Sequence, residues 1–105
     1  MSNPKFTRGP LETDIFNVKG HNVYWVKDSL NRGVCECFMQ YPFAGKPGIT
    51  GDEAEANAHL YAAAPEMYEE LERFIELCHE NDCGDYARRA EQILRKARGE
   101  SENKA

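Results

Sequence analysis

The sequence predicts an α+β fold, in which a three-stranded antiparallel meander is followed by two or three helices packed on one face. Short runs rich in β-branched and aromatic residues lie between residues 13 and 40. Helical periodicity follows from residue 52 to residue 98. Strands followed by helices are typical of the α+β class, and 105 residues suit one core, so we expect a single domain.

Three strands are predicted in the first part of the chain. The first two are Asp14–Val18 and Asn22–Val26, and Gly20 between them supplies the positive φ of a tight hairpin turn. A second turn, with Asn31 and Gly33 at its tip, leads to the third strand, Val34–Gln40. Because side chains alternate along a strand, we expect one face of the third strand to carry Cys35, Cys37 and Met39, and the other to carry Val34, Glu36 and Phe38.

The remaining segments are assigned from their breakers and their periodicity. Residues 1–12 form an extended lead-in, 41–51 a loop rich in Pro and Gly, 52–98 the helices and 99–105 a frayed tail. Thr50 or Asp52 could cap the first helix, and Thr50 followed by Glu53 has the spacing of a capping box. Pro65 lacks the N–H group that a helix interior needs, so it either kinks one long helix or starts a second, and of the two we favour a break. A third helix is expected after Asp85.

The net charge of −5 is distributed unevenly along the chain. Residues 52–82 contain ten acids and one base, whereas residues 83–98 contain two acids and five bases. An acidic helix followed by a basic one predicts two helices packed antiparallel. The overall acidity argues against direct binding to nucleic acid, which normally requires a basic face.

No segment predicts export or membrane insertion. No run approaches the ~18 apolar residues of a membrane span, and the first ten residues lack the apolar centre of a signal peptide. We therefore expect no membrane association and a location in the cytoplasm, where cysteines stay reduced.

Two stretches resemble a family of small phage- and prophage-encoded proteins, most of unknown function. Residues 56–66, Ala-Asn-Ala-His-Leu-Tyr-Ala-Ala-Ala-Pro-Glu, match a recurrent Ala-Asn-Ala-x-Leu-x-Ala-Ala-Ala-Pro-Glu helix of that family. Residues 5–11 are similar to its Lys-Phe-Thr-Pro-Gly-Pro-Trp opening and depart from it at Arg8 and Leu11. The resemblance implies a viral accessory protein that acts inside a bacterium. It offers no catalytic residues to carry over.

Cysteine is the residue type that could carry chemistry here. Cys35, Cys37, Cys78 and Cys83 could hold a tetrahedral zinc ion, although their spacing differs from the usual zinc motifs. The simpler interpretation is that Cys35, Cys37 and Cys78 are small core residues. A thiol-dependent enzyme that uses Cys83 is a further alternative. No nucleotide-binding or nucleophile motif is present, so we expect no cofactor and no enzymatic activity.

Two surfaces are candidates for binding a partner protein. A row of glutamates on the second helical segment could imitate nucleic-acid phosphates, and aromatic residues of the sheet and the following loop could anchor a partner. The predicted contacts are Glu69, Glu72, Glu76, Glu80, Trp25, Tyr41 and Phe43. The leading hypothesis is a non-enzymatic phage accessory protein that binds and inhibits a host protein, an antiviral defence component such as a CRISPR effector. A homodimer that buries the aromatic face is a structural variant of this hypothesis.

Overall fold

The computed structural model describes residues 5–82 and 84–100. Its elements follow in the order β1 (Glu12–Val18), β2 (His21–Lys27), β3 (Gly33–Phe38), α1 (Gly51–Glu80) and α2 (Gly84–Ala97). The three strands form one antiparallel sheet in the order β1-β2-β3. The α+β fold predicted from the sequence is therefore confirmed. The predicted frayed tail lies mostly outside the described residues.

Two tight connections set the register of the sheet. Lys19 and Gly20 join β1 to β2 with φ values of 51° and 85°, the geometry of a two-residue turn that matches strand twist. The next connection is held by Asp28, whose carboxylate accepts hydrogen bonds from the backbone N–H groups of Leu30 and Arg32. Asn31 takes the positive φ there, as predicted. Gly33 was predicted at the same tip but begins β3 instead.

The chain divides into two compact units, Thr7–Pro65 and Met1–Phe6 with Glu66–Ala105. We call the first the sheet unit, because it contains all three strands and the first half of α1. We call the second the hairpin unit, because it contains the second half of α1 and all of α2.

The core of the sheet unit lies between the inner face of the sheet and an alanine stripe on α1. Tyr24 and Val26 of β2 point to this face, and Cys37 of β3 lies opposite Tyr24 in the register. Ala54 and Ala58, one helical turn apart, are buried against them. Thr50 caps the helix by accepting a hydrogen bond from the Glu53 backbone N–H at 3.1 Å, as predicted.

The core of the hairpin unit is formed where α2 packs against the second half of α1. Its buried residues are Tyr68, Ile75, Cys78, Ala87, Ala90 and Leu94. Two hydrogen bonds connect the α1 and α2 sides of this unit: His79 Nε2 lies 3.0 Å from Glu91 Oε1, and Arg98 Nη1 donates to Tyr68 Oη at 3.0 Å. The later residue of the α1 side therefore pairs with the earlier residue of the α2 side, and the earlier with the later. The two helices are therefore antiparallel, as the charge distribution predicted.

The helix α1 corrects the predicted break at Pro65. It is continuous from Gly51 to Glu80 with Pro65 inside it. A proline in a helix interior costs about 3 kcal/mol. The turns on both sides are fixed by buried side chains, Ala58 before the proline and Tyr68 after it. Tertiary packing thus outweighs the local preference, and the described residues contain two helices, within the predicted two or three.

Candidate protein-binding surface

The outer face of the sheet carries aromatic side chains. Strand alternation places Trp25 on the face opposite Tyr24 and Val26. In the register, Val23 pairs with Phe16 on one side and with Phe38 on the other, so these residues lie on the same face as Trp25. Val23 is buried among them, whereas Phe38 is 57% exposed. The alternation therefore leaves apolar surface on the outside of the sheet.

Ring contacts extend this face along the sheet. Phe16 and Trp25 meet edge to face with their centroids 6.1 Å apart, and His21 and Tyr41 do so at 6.0 Å. Edge-to-face packing is a favoured arrangement of aromatic rings. The face contains Phe16, His21, Trp25, Phe38 and Tyr41, and we call it the outer aromatic face.

Charged residues flank Trp25 on both neighbouring strands. Asp14 and Glu36 are its cross-strand partners. The Asp14 carboxylate accepts a hydrogen bond from the Ile15 backbone N–H and pairs with Lys27 Nζ at 3.2 Å. Both interactions, the backbone one first, lower the pKa of Asp14. The aromatic surface is thus bordered by the Asp14–Lys27 ion pair on one side and by Glu36 on the other.

The predicted loop at residues 41–51 contains a small hairpin that supports two of the predicted contact residues. Gln40 pairs with Ile49, and Phe43 pairs with Lys46. Ala44 and Gly45 form the tip with φ values of 54° and 75°. Tyr41 and Phe43 are 65% and 76% exposed on this support. A shallow cleft of about 280 Å³ lies beside them.

Gly48 permits a close approach of the backbone within the small hairpin. A Cβ atom at Gly48 would lie 2.0 Å from the backbone oxygen of Gln40 and 2.9 Å from the backbone nitrogen of Pro42. Only a residue without a side chain permits this approach. The positions of Tyr41 and Phe43 therefore depend on Gly48.

The predicted glutamates share one side of α1. Glu69, Glu72, Glu76 and Glu80 follow steps of three, four and four residues, which keeps them on one side of a helix. Glu72 is half-buried and the other three are exposed. Glu70 lies off this row and pairs with Arg73 at 2.6 Å. We call the four residues the acidic row. They belong to the hairpin unit, whereas the predicted aromatic contacts belong to the sheet unit.

Comparison with known protein families identifies the origin of the chain. The profile of one family, described as Salmonella phage P22 protein Y8K6, matches residues 1–101. The chain belongs to this family. No curated protein and no solved structure matches the chain significantly. Membership in the Y8K6 family confirms that this is a small protein of a phage family, whereas the match does not test the Ala-Asn-Ala-x-Leu-x-Ala-Ala-Ala-Pro-Glu motif.

Two of the cysteines in this Y8K6-family chain are core residues, and a third packs against the core. Cys37 is buried beneath the sheet with Cys35 beside it, and Cys78 lies in the core of the hairpin unit. Burial raises the pKa of the Cys37 thiol, and the neighbouring Cys35 raises it further, so the nucleophilic thiolate is disfavoured. The core interpretation is confirmed for Cys37 and Cys78, Cys35 is half-buried beside Cys37, and Cys83 lies outside the described residues.

Neither a metal cluster nor a membrane span is found in the described part of this family member. Within residues 5–82 and 84–100, no three His, Cys, Asp or Glu side chains gather in a way that could hold a metal ion. None of the helices in these residues is long and apolar enough to cross a membrane.

The predicted contacts did not include Phe16, His21 and Phe38 of the outer aromatic face. The predicted strands contained Phe16 and Phe38, but their shared face depends on the register, which pairs both of them with Val23. His21 lay just outside the predicted second strand, Asn22–Val26, whereas it is the first residue of β2. The signal that could have found them is alternation counted from Trp25 once the two-residue turn had been assigned.

Proposed function

We propose that this member of the phage P22 Y8K6 family is a non-enzymatic accessory protein that binds and inhibits a protein of the bacterial host. The observation that supports the proposal best is the outer aromatic face, where Phe38 and Tyr41 are more than half exposed. Exposed apolar patches of this kind are typical of docking sites on otherwise polar proteins.

The face has the properties of a strong contact surface. Aromatic side chains supply most of the binding energy at many interfaces, because they bury a large area with few rotatable bonds. Phe16, Trp25 and Phe38 are carried on paired strands, and Tyr41 packs against His21. Little side-chain entropy is therefore lost when a partner binds.

The acidic row offers a second contact surface for the same function. Four carboxylates on one side of α1 are suited to a basic groove that normally binds nucleic acid. This feature, together with the phage family, favours a nucleic-acid-binding defence component such as a CRISPR effector as the class of target. Binding through this row would weaken as salt is raised, whereas binding through the aromatic face would persist.

The proposal is tested by affinity capture from a bacterial lysate with tagged wild-type protein, Phe38→Ala and Leu30→Ala. Leu30 is 71% exposed in the β2–β3 connection, so Leu30→Ala removes a comparable exposed apolar side chain away from the face. We expect one host protein to be retained by the wild type and by Leu30→Ala, and lost from Phe38→Ala.

A variant with all four residues of the acidic row changed to Gln completes the experiment. If this variant loses the host protein while Phe38→Ala retains it, the contact lies on the acidic row. If all variants retain the same host protein, neither surface makes the contact. If the wild type retains no host protein, the proposed function is wrong. If the wild type does retain a host protein, inhibition is measured on that protein after it has been purified.

A further inference from the structure

The hairpin unit has a set of exposed apolar side chains that its own core does not use. Each lies one residue before a buried core residue, and the exposed fractions range from 42% to 70%. On α1 they precede Tyr68, Ile75 and Cys78, and on α2 they precede Ala87 and Leu94. The residues are Met67, Phe74, Leu77, Tyr86 and Ile93.

These five side chains lie on one face of the antiparallel helix pair. A step of one residue rotates a side chain by about 100°, so a residue before a core position and a residue after it lie on opposite flanks of a helix. His79 follows Cys78 and Glu91 follows Ala90, and their side chains meet at 3.0 Å. The flanks that follow the core positions therefore adjoin, and the flanks that precede them form the opposite face. Arg89, which precedes the core residue Ala90, lies on this opposite face as well. We call this opposite face the apolar hairpin face.

The apolar hairpin face is as large as the largest apolar patch of a typical monomer, and such patches are often functional. With about 200 Å² for each large side chain, the five residues expose roughly 500 Å² per copy. Two such faces would bury about 1,000 Å² between them, which is below the range of stable interfaces and matches a weak, transient one. The area therefore suits a second copy of the chain, held in a dimer that dissociates on dilution.

We infer that the apolar hairpin face is the interface of a homodimer in which α1 of one copy packs on α2 of the other. Charge complementarity selects this arrangement. The α1 segment 66–80 contains six acids and one base, whereas α2 contains two acids and four bases. Packing α1 on the partner's α1 would oppose two acidic helices. A two-fold axis parallel to the helices instead pairs an acidic helix with a basic one.

The outer margins of the face supply one cross-copy ion pair. Glu70 lies three residues after Met67, and Lys96 lies three residues after Ile93. Tyr68 and Arg98 contact each other, so they lie at the same height along the antiparallel helix pair. Glu70 is two residues after Tyr68 and Lys96 is two residues before Arg98, so these two residues also share one height, or level, along the helix axes. A two-fold axis parallel to the helices preserves this level, so Glu70 of each copy faces Lys96 of the other. The interface uses no residue of the outer aromatic face.

Sedimentation of the full chain over an about hundredfold range of concentration tests the interface. We expect the wild type to pass from monomer to dimer. Ile93→Glu should weaken the dimer by about a hundredfold, because each dimer loses two buried isoleucines and gains two charges. The matched control is Leu30→Glu, which places the same charge at an exposed leucine and should leave dimerisation unchanged.

A charge exchange tests the arrangement independently of the apolar contact and of any folding defect in Ile93→Glu. Glu70→Lys and Lys96→Glu should each weaken the dimer, and the double variant should restore it. Breaking the exposed Glu70–Arg73 pair has little effect on folding. A wild type that stays monomeric, a dimer that survives Ile93→Glu, or a dimer that is strengthened by Glu70→Lys alone would overturn the inference. These results do not depend on capture of a host protein, so the proposed function can fail separately.

Discussion

Replacement of Ala58 by leucine tests how α1 meets the sheet. Ala58 is 0% exposed and packs in the cluster that contains Tyr24 and Val26. Leucine adds three carbon atoms at a site closed on one side by the sheet and on the other by its own helix. Overpacking of this kind typically costs 1–3 kcal/mol, and the complete burial here places the expected loss at about 2–3 kcal/mol. For a chain of this size, that loss lowers the melting temperature by about 10–15 °C.

The matched control is Ala56→Leu, two residues away on the same helix and exposed. Alanine and leucine have similar helix propensities, so the control should melt within about 2 °C of the wild type. Thermal unfolding followed by circular dichroism measures all three proteins. If Ala58→Leu and Ala56→Leu melt together, α1 does not approach the sheet through its alanine stripe, and the account of the sheet-unit core is wrong.

Three further predictions concern single contacts. Gly48→Ala should lower the free energy of unfolding by about 1–3 kcal/mol, because the added Cβ would collide with the backbone of Gln40. NMR shifts should change mainly in the small hairpin that carries Tyr41 and Phe43. An unchanged spectrum would contradict the close approach. The Arg32 backbone N–H is the main cause that lowers the pKa of Asp28 below its ordinary 3.8. The stability that Asp28 contributes is therefore present above pH 3.8 and is lost as the pH falls through the lowered pKa. In acid titrations, the stability of Asp28→Asn should depend less steeply on pH below about pH 4 than that of the wild type. The same pH dependence in both proteins would refute this. Tyr68→Phe removes the hydroxyl that accepts a hydrogen bond from Arg98 and should lower the free energy of unfolding by about 1 kcal/mol in urea titrations, whereas no change would show that the bond contributes nothing.

The strands and their turns could be predicted because local sequence determines them. Gly20 and Asn31 take positive φ where the turn chemistry requires it. The faces of β3 also agree with strand alternation: Cys37 is buried, whereas Val34 and Phe38 are exposed. These features depend on residues close together in the chain.

The features that sequence reasoning did not predict depend on contacts between distant residues. Pro65 favours a helix break locally, but burial on both sides keeps α1 continuous. The hairpin within the loop depends on the pairing of Gln40 with Ile49, which the Pro and Gly content alone does not reveal. Tertiary structure outweighs local preference in both places.

The candidate surfaces also combine features that local sequence predicts with features that depend on contacts between distant residues. Trp25 and Tyr41 were predicted as contacts from their residue type. The register joins Trp25 to Phe16 and Phe38 on one face, and a ring contact with His21 joins Tyr41 to it. The glutamates were predicted from helical spacing, and their common side follows from that spacing alone.

The measurement that tests the central proposal most directly is the affinity of the captured, purified host protein for the wild-type chain and two variants. The host protein is titrated by calorimetry, at fixed salt, with wild type, Phe38→Ala and Leu30→Ala. Loss of an aromatic anchor from the centre of an interface costs about 2 kcal/mol or more, so Phe38→Ala should bind at least about 30-fold more weakly than the wild type, and Leu30→Ala should bind equally well. Equal affinities for Phe38→Ala and the wild type would contradict binding through the outer aromatic face.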